Sequence, residues 1–160
     1  MADEICPCGG ERGFEACCGR FLTDGGEAGT PEELMRSRYS AFVRGELGYL
    51  LSTHHPSTRS PRLASELEAT LRTARWIGLR VVASGMETGR EDRGWVEFVA
   101  FQAGPGFDQI HERSRFFRED GKWQYVDGTH LPDVTLDRNG PCVCGSGRKW
   151  KKCHGGWPGA

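Results

Sequence analysis

Met35, Tyr39, Phe42 and Val43 recur at the spacing of an amphipathic helix and share one of its faces. Just ahead of them, Thr30-Pro31-Glu32-Glu33 forms a capping box with proline at the first helical position, so a helix is predicted over about 31 to 44. Gly45 and Gly48 interrupt the pattern, and "YLLSTHH" then supplies a second short helix that must stop before Pro56. Ser60-Pro61 opens a third, with Leu63, Leu67 and Leu71 at four-residue spacing.

The remainder turns to strands. "WIGLRVVA" from 76, "GWVEFVAFQ" from 94, "QIHERSRFF" from 109 and "KWQYVDGTH" from 122 are rich in aromatic and branched residues and are separated by glycine-bearing turns. Helices followed by an antiparallel sheet make an α+β fold. Asp120-Gly121 is a strong two-residue hairpin signal, which would pair positions summing to 241. One face of the last hairpin then carries Ile110, Glu112, Ser114, Phe116, Trp123, Tyr125, Asp127 and Thr129. The other carries His111, Arg113, Arg115, Phe117, Gln124, Val126 and His130. Helices laid over the first, aromatic face would partly enclose Glu112 and Asp127 as diagonal neighbours beside Tyr125.

The ends of the chain differ from this middle. "CPCGGERGFEACCG" at 6 to 19 returns without a gap, 136 positions later, as "CVCGSGRKWKKCHG" at 142 to 155. The repeat aligns Cys6 with Cys142, Cys8 with Cys144, Cys17 with Cys153 and Cys18 with His154, and it also matches Phe14 to Trp150 and Gly19 to Gly155. All 7 cysteines are used. Each cluster offers the four thiolate or imidazole ligands of a closed tetrahedral zinc site, so two structural zinc ions are expected, with no position left for a reactive water. The second ligand pair in each is expected at the end of a short helix stopped by Gly19 or Gly155, with Phe14 or Trp150 shielding the ion.

A four-thiolate centre is formally dianionic and here sits among Asp3, Glu4, Glu11 and Glu15. The second centre is monoanionic and is surrounded by Arg148, Lys149, Lys151 and Lys152, which with Trp150 make the candidate partner-binding set.

With 160 residues, of which 37% are hydrophobic and 27% charged, the chain suits one compact domain with small appendages. Its formal charge of -1 gives no general attraction to nucleic acid or anionic membrane. The opening "MADEICPCGG" lacks an apolar h-region, and no stretch approaches the roughly 20 apolar residues of a membrane span, so a cytoplasmic protein with no membrane association is expected.

"HERSRFFREDGKWQYVDG" at 111 to 128, "LMRSRYSAFVRGELGYLLSTHHP" at 34 to 56 and the two cysteine modules in this order resemble the bacterial YchJ family, and the likeness covers nearly the whole chain. The resemblance implies zinc-binding SEC-C modules over 1–20 and 139–157, similar to the tail of the SecA translocation ATPase. Between them, over 30–131, it implies a nuclear transport factor two-like domain: a cone of curved antiparallel sheet covered by N-terminal helices. In SecA the motif serves protein partners, which is what the likeness implies for Cys142 to His154. The first module departs from that form by lacking the basic run and by using Cys18 in place of a histidine.

Three functions follow as expectations. The leading one is a zinc-binding adaptor that docks a protein through its C-terminal module. The second is a small-molecule site or proton-transfer enzyme in the cup, with Glu112, Asp127 and Tyr125 as the candidate catalytic residues. In the bland form of that arrangement Arg36, Arg38 or Ser114 balances the acids, and a non-enzymatic role is the expected one. The third is contact with RNA or the ribosome through the basic run. His54-His55 is expected to cap helix carbonyls, and His111 to lie opposite His130 in solvent. No Walker A, G-x-S-x-G or H-E-x-x-H pattern is present.

Overall fold

A computed structural model of the chain describes residues 4–160. Asp3, counted above among the acids around the first cluster, lies outside the described residues, as do the first positions of the 1–20 module. A short helical turn over Glu15–Gly19 continues into α1 (Arg20–Leu22), and α2 (Pro31–Arg44), α3 (Leu47–Ser52) and α4 (Leu63–Thr73) follow. Four strands complete the fold: β1 (Trp76–Met86), β2 (Arg93–Ala103), β3 (Phe107–Glu119) and β4 (Lys122–His130).

The ends of α2 form as the sequence dictates. Thr30 is extended and its hydroxyl accepts from the Glu33 amide at 3.1 Å, while Gly45 closes the helix in the left-handed region at φ 77. The buried face is rotated from the expected one. Leu34, Met35, Tyr39 and Ala41 enter the core, and Val43 is exposed.

The strands pair antiparallel in the order β1-β2-β3-β4. Asp120 and Gly121 both adopt positive φ, 50 and 77, as a two-residue hairpin turn requires. From Glu119↔Lys122 to Phe116↔Tyr125 the paired positions sum to 241, but a bulge at Val126 shifts the register, and Arg115 then faces Asp127. The bulge sits where another segment docks. The Tyr125 amide donates to the Thr53 carbonyl at 2.8 Å, the His55 amide donates to the Tyr125 carbonyl at 2.7 Å, and the Thr58 hydroxyl donates to the Val126 carbonyl at 2.6 Å.

The two sides of the sheet are covered differently. On the inner side Val96, Phe98, Ala100, Phe116 and Trp123 pack in one cluster with Leu34, Met35 and Tyr39 of α2 and with the N-terminal cysteines. On the outer side Val99, Phe101 and Phe107 pack with Cys142 and Trp150. Neither cysteine cluster is an appendage: each is built into a layer that covers the sheet. Among the described residues no helix is long and apolar enough to cross a membrane.

Candidate metal centres and the central cup

Within each cluster the four ligand atoms lie within 4.8 Å of one another. Cys8 Sγ is 3.6 Å from Cys17 Sγ, and Cys144 Sγ is 3.7 Å from Cys153 Sγ. His154 turns Nδ1 toward the sulfurs, 3.3 Å from Cys142 and 3.4 Å from Cys153. A tetrahedral ion with metal–sulfur bonds of about 2.3 Å has sulfur–sulfur edges of about 3.8 Å and slightly shorter sulfur–nitrogen edges. The spacing therefore fits four ligands around one ion, and all seven cysteines are free of disulfides.

The local backbone repeats with the sequence. The Gly9 amide donates to the Cys6 carbonyl at 3.1 Å and the Gly145 amide to the Cys142 carbonyl at 3.2 Å, closing the same turn in both C-x-C segments. Gly19 and Gly155 do not act as left-handed stops. Gly19 stays helical at φ -57, and a Cβ there would sit 2.8 Å from the Phe14 carbonyl oxygen. At Gly155 a Cβ would sit 2.6 Å from the Trp150 carbonyl oxygen. These glycines are needed because the chain passes directly against the backbone of the shielding aromatic residue.

The two centres differ in burial. Cys6, Cys8 and Cys18 are at most 1% exposed, whereas Cys144 and Cys153 are half-buried. Around the first centre α2 supplies contacts that the sequence did not flag: Ser40 Oγ lies 3.7 Å from Cys6 Sγ, and Arg36 donates to the Cys8 carbonyl at 3.0 Å. Arg36 is therefore committed here and to Glu32, away from the cup. Crowding the thiols pulls their titration apart. Hydrogen bonding from Cys18 and Cys8 lowers Cys6 strongly, while burial pushes Cys17 up to about 11.

Trp150, a member of the candidate partner-binding set, is buried and stands edge-on to Phe107 with ring centroids 4.6 Å apart, so it does not face a partner. It anchors the module to the sheet. Arg148, Lys149, Lys151 and Lys152 are exposed around it, Arg148 donating to the Lys152 carbonyl.

In the cup, the expected Glu112–Asp127 pair does not form. The bulge at Val126 turns Asp127 outward, where Arg115 holds it in a two-bond fork at 2.6 and 2.7 Å and lowers its pKa. Glu112 stays inside. Its Oε1 accepts from the Ser114 hydroxyl at 2.7 Å and from the Tyr125 hydroxyl at 3.4 Å, and burial raises the Tyr125 pKa. The same bulge separates His111 from His130, which pairs with Glu112 instead. His111 bonds the Pro132 carbonyl at 2.6 Å and Glu97 at 2.8 Å.

Nor do the paired histidines cap carbonyls. His55 Nδ1 accepts from the Ser57 amide at 3.1 Å, and its Nε2 lies 2.9 Å from Glu119 Oε1, out of line for a hydrogen bond. His54 Nε2 meets the Thr58 hydroxyl at 3.1 Å, and its ring stands edge-on to Tyr125 inside the cup. No local signal in "STHHPST" distinguishes the histidine that lines the cavity from the one that does not.

This geometry defines a class: an α+β domain with a helix-covered curved sheet, bracketed by cysteine clusters of metal-site shape. Residues 30–128 match the family described as YchJ, middle NTF2-like domain, and residues 138–156 match the SEC-C motif. The chain belongs to the YchJ family. Solved structures similar to it include two SEC-C motif containing proteins. A SEC-C motif containing protein from Rhodopseudomonas palustris is 32% identical, with a TM-score of 0.72, over 79% of this chain and 98% of that one. A second, from Psychrobacter arcticus, is 31% identical with a TM-score of 0.65, over 94% of both chains.

Proposed function

We propose that the protein is a zinc-stabilised adaptor whose C-terminal module docks an acidic protein surface. One zinc ion is held by Cys6, Cys8, Cys17 and Cys18, the other by Cys142, Cys144, Cys153 and His154. Thiolate and imidazole donors suit zinc, and four protein ligands leave no coordination position for substrate, so the ions act on folding and not as Lewis acids. The observation that carries the docking role is the division of labour within 148–152. Trp150 is buried against the sheet, while Arg148, Lys149, Lys151 and Lys152 are exposed on a module whose metal ligands face inward. An outward basic rim of this kind favours carboxylate-rich partners and speeds their encounter.

The test is affinity capture on the intact zinc-loaded protein and on a variant with Lys149, Lys151 and Lys152 all replaced by Gln. With zinc content unchanged, a discrete protein partner is expected to be retained by the first and lost from the second. Recovery of the same proteins by both, or loss of bound nucleic acid in place of protein, would contradict the proposal.

A further inference from the structure

Between α2, α4 and the inner face of the sheet lies a cavity of about 310 Å³, at the small end of the roughly 300–1,000 Å³ range of ligand pockets. Its walls are mostly apolar, with Phe42, Leu63, Leu67, Trp76, Phe98 and Ile110 among them. Two oppositely charged groups also line it, and they do not meet.

Arg38 enters from α2 and is 6% exposed. Its Nη1 donates to the Leu50 carbonyl at 2.9 Å and to the Thr53 hydroxyl at 2.6 Å, and the guanidinium lies 4.8 Å from the centre of the Tyr125 ring. Among the described residues no acceptor meets Nε or Nη2, and neither atom is sealed from water. Burial lowers its pKa to about 10, so it stays cationic at neutral pH.

Glu112 enters from β3. With Oε1 bound by Ser114 and Tyr125, Oε2 has no partner among the described residues. Gly128 on the neighbouring strand makes this placement possible, because any Cβ there would overlap the Glu112 carboxylate. Glu112 and Arg38 sense each other electrostatically, yet among the described residues each bonds other partners and they form no ion pair. A third donor, Trp76 Nε1, is buried without an acceptor among the described residues, on a ring that lines the same cavity.

A largely buried guanidinium with open donors, facing a carboxylate across a gap, gives a molecule that enters the gap a charged group to pair with at each end. A lone carboxylate ligand would satisfy Arg38 and oppose Glu112; a lone amine would do the reverse. Burial, and then the Arg38 charge, lowers the His54 pKa, so His54 adds no charge at neutral pH. The cavity's two charges cancel, and the complementary head group is neutral overall and bipolar.

We infer that the cup binds an α-amino acid with an apolar side chain, its carboxylate on Arg38, its ammonium on Glu112 and its side chain against the apolar walls. This site is separate from the docking rim and does not depend on it.

The experiment titrates the zinc-loaded full chain with L-leucine, with 4-methylpentanoate, which lacks the ammonium, and with 3-methylbutylamine, which lacks the carboxylate. The Trp76 indole N–H resonance is the reporter. Leucine is expected to shift it saturably at millimolar concentration, and each analogue to bind at least about tenfold more weakly. In Glu112→Gln the preference for leucine over 4-methylpentanoate should vanish. Three results would overturn the inference: no shift with leucine, either analogue binding as tightly as leucine, or an undiminished preference in folded Glu112→Gln. The analogue series on the unaltered chain decides the matter even if that variant does not fold.

Discussion

Cys17 and Cys153 bend the chain in the same way, with φ and ψ of -109° and -106° at the first and -130° and -118° at the second. They are the third ligands of their clusters. In each case the bend lets two successive residues, Cys17-Cys18 or Cys153-His154, turn toward one point, which an unbroken helix would not allow because adjacent side chains diverge. The same backbone solution at both ends of the chain is what one tetrahedral ion per cluster demands.

The difference in burial predicts unequal consequences of ligand loss. Cys8 shares its cluster with Leu34, Tyr39 and Phe116, whereas Cys144 only borders the outer-face cluster. Structural zinc contributes on the order of 10–16 kcal/mol in finger peptides, comparable to the whole stability of a domain. Cys8→Ser should therefore collapse the dispersed native amide resonances of α2 and the inner sheet, and Cys144→Ser should confine its changes to residues near 138–157 and the outer face. Equal, global unfolding in both variants would count against this division.

Gly19 and Gly155 should not tolerate a methyl group. The Cβ of alanine would press on a backbone oxygen, Phe14 at one site and Trp150 at the other, which cannot swing away as a side chain can. Each substitution is expected to cost about 1–3 kcal/mol, the usual range for overpacking, read by denaturant unfolding of the zinc-loaded protein. A change below the error of that measurement would show that the close approach does not hold in solution.

Trp150 and its lysine neighbours should separate cleanly in stability measurements. Trp150→Ala removes the contact with Phe107 and should cost about 3–5 kcal/mol, with faster amide exchange along the Phe107 end of β3. Neutralising Lys149, Lys151 and Lys152, all exposed, should leave thermal stability within about 0.5 kcal/mol. If the lysines stabilise the fold as much as Trp150 does, the assignment of anchor and rim is wrong.

His54 and His111 should titrate on opposite sides of the ordinary histidine value. Burial, followed by the Arg38 charge, lowers His54; the hydrogen bond to the Pro132 carbonyl, assisted by Glu97, raises His111. The linkage signs are opposite. His54 favours folding above its unfolded pKa of about 6.5 and loses that contribution as pH falls through the folded value. His111 contributes fully below about 6.5 and loses its contribution as pH rises through its folded value. Following the two imidazole resonances by NMR checks both directions, and an inverted order would refute the environments described.

Much of this was legible in advance because the signals are local. The capping box at Thr30, the Asp120-Gly121 turn and the cysteine repeat each declare themselves within a few residues. The fate of Asp127 does not. Strict alternation after Tyr125 places it inside, and only the docking of residues 53–58 along β4, nearly 70 positions away in sequence, accompanies the bulge that turns it out. The open Nε and Nη2 of Arg38 were hidden for a similar reason, since they depend on where α3 and β3 end up relative to α2. Trp150 was placed near the metal by its spacing, yet nothing near it announces Phe107.

Zinc content of the reduced, freshly purified chain, combined with zinc-edge X-ray absorption, tests the central claim most directly. Two equivalents of zinc are predicted, with seven sulfur and one nitrogen ligands shared between them, matching the 7 cysteines and His154. Clearly fewer than two equivalents per chain, or a first shell dominated by oxygen, would contradict the account.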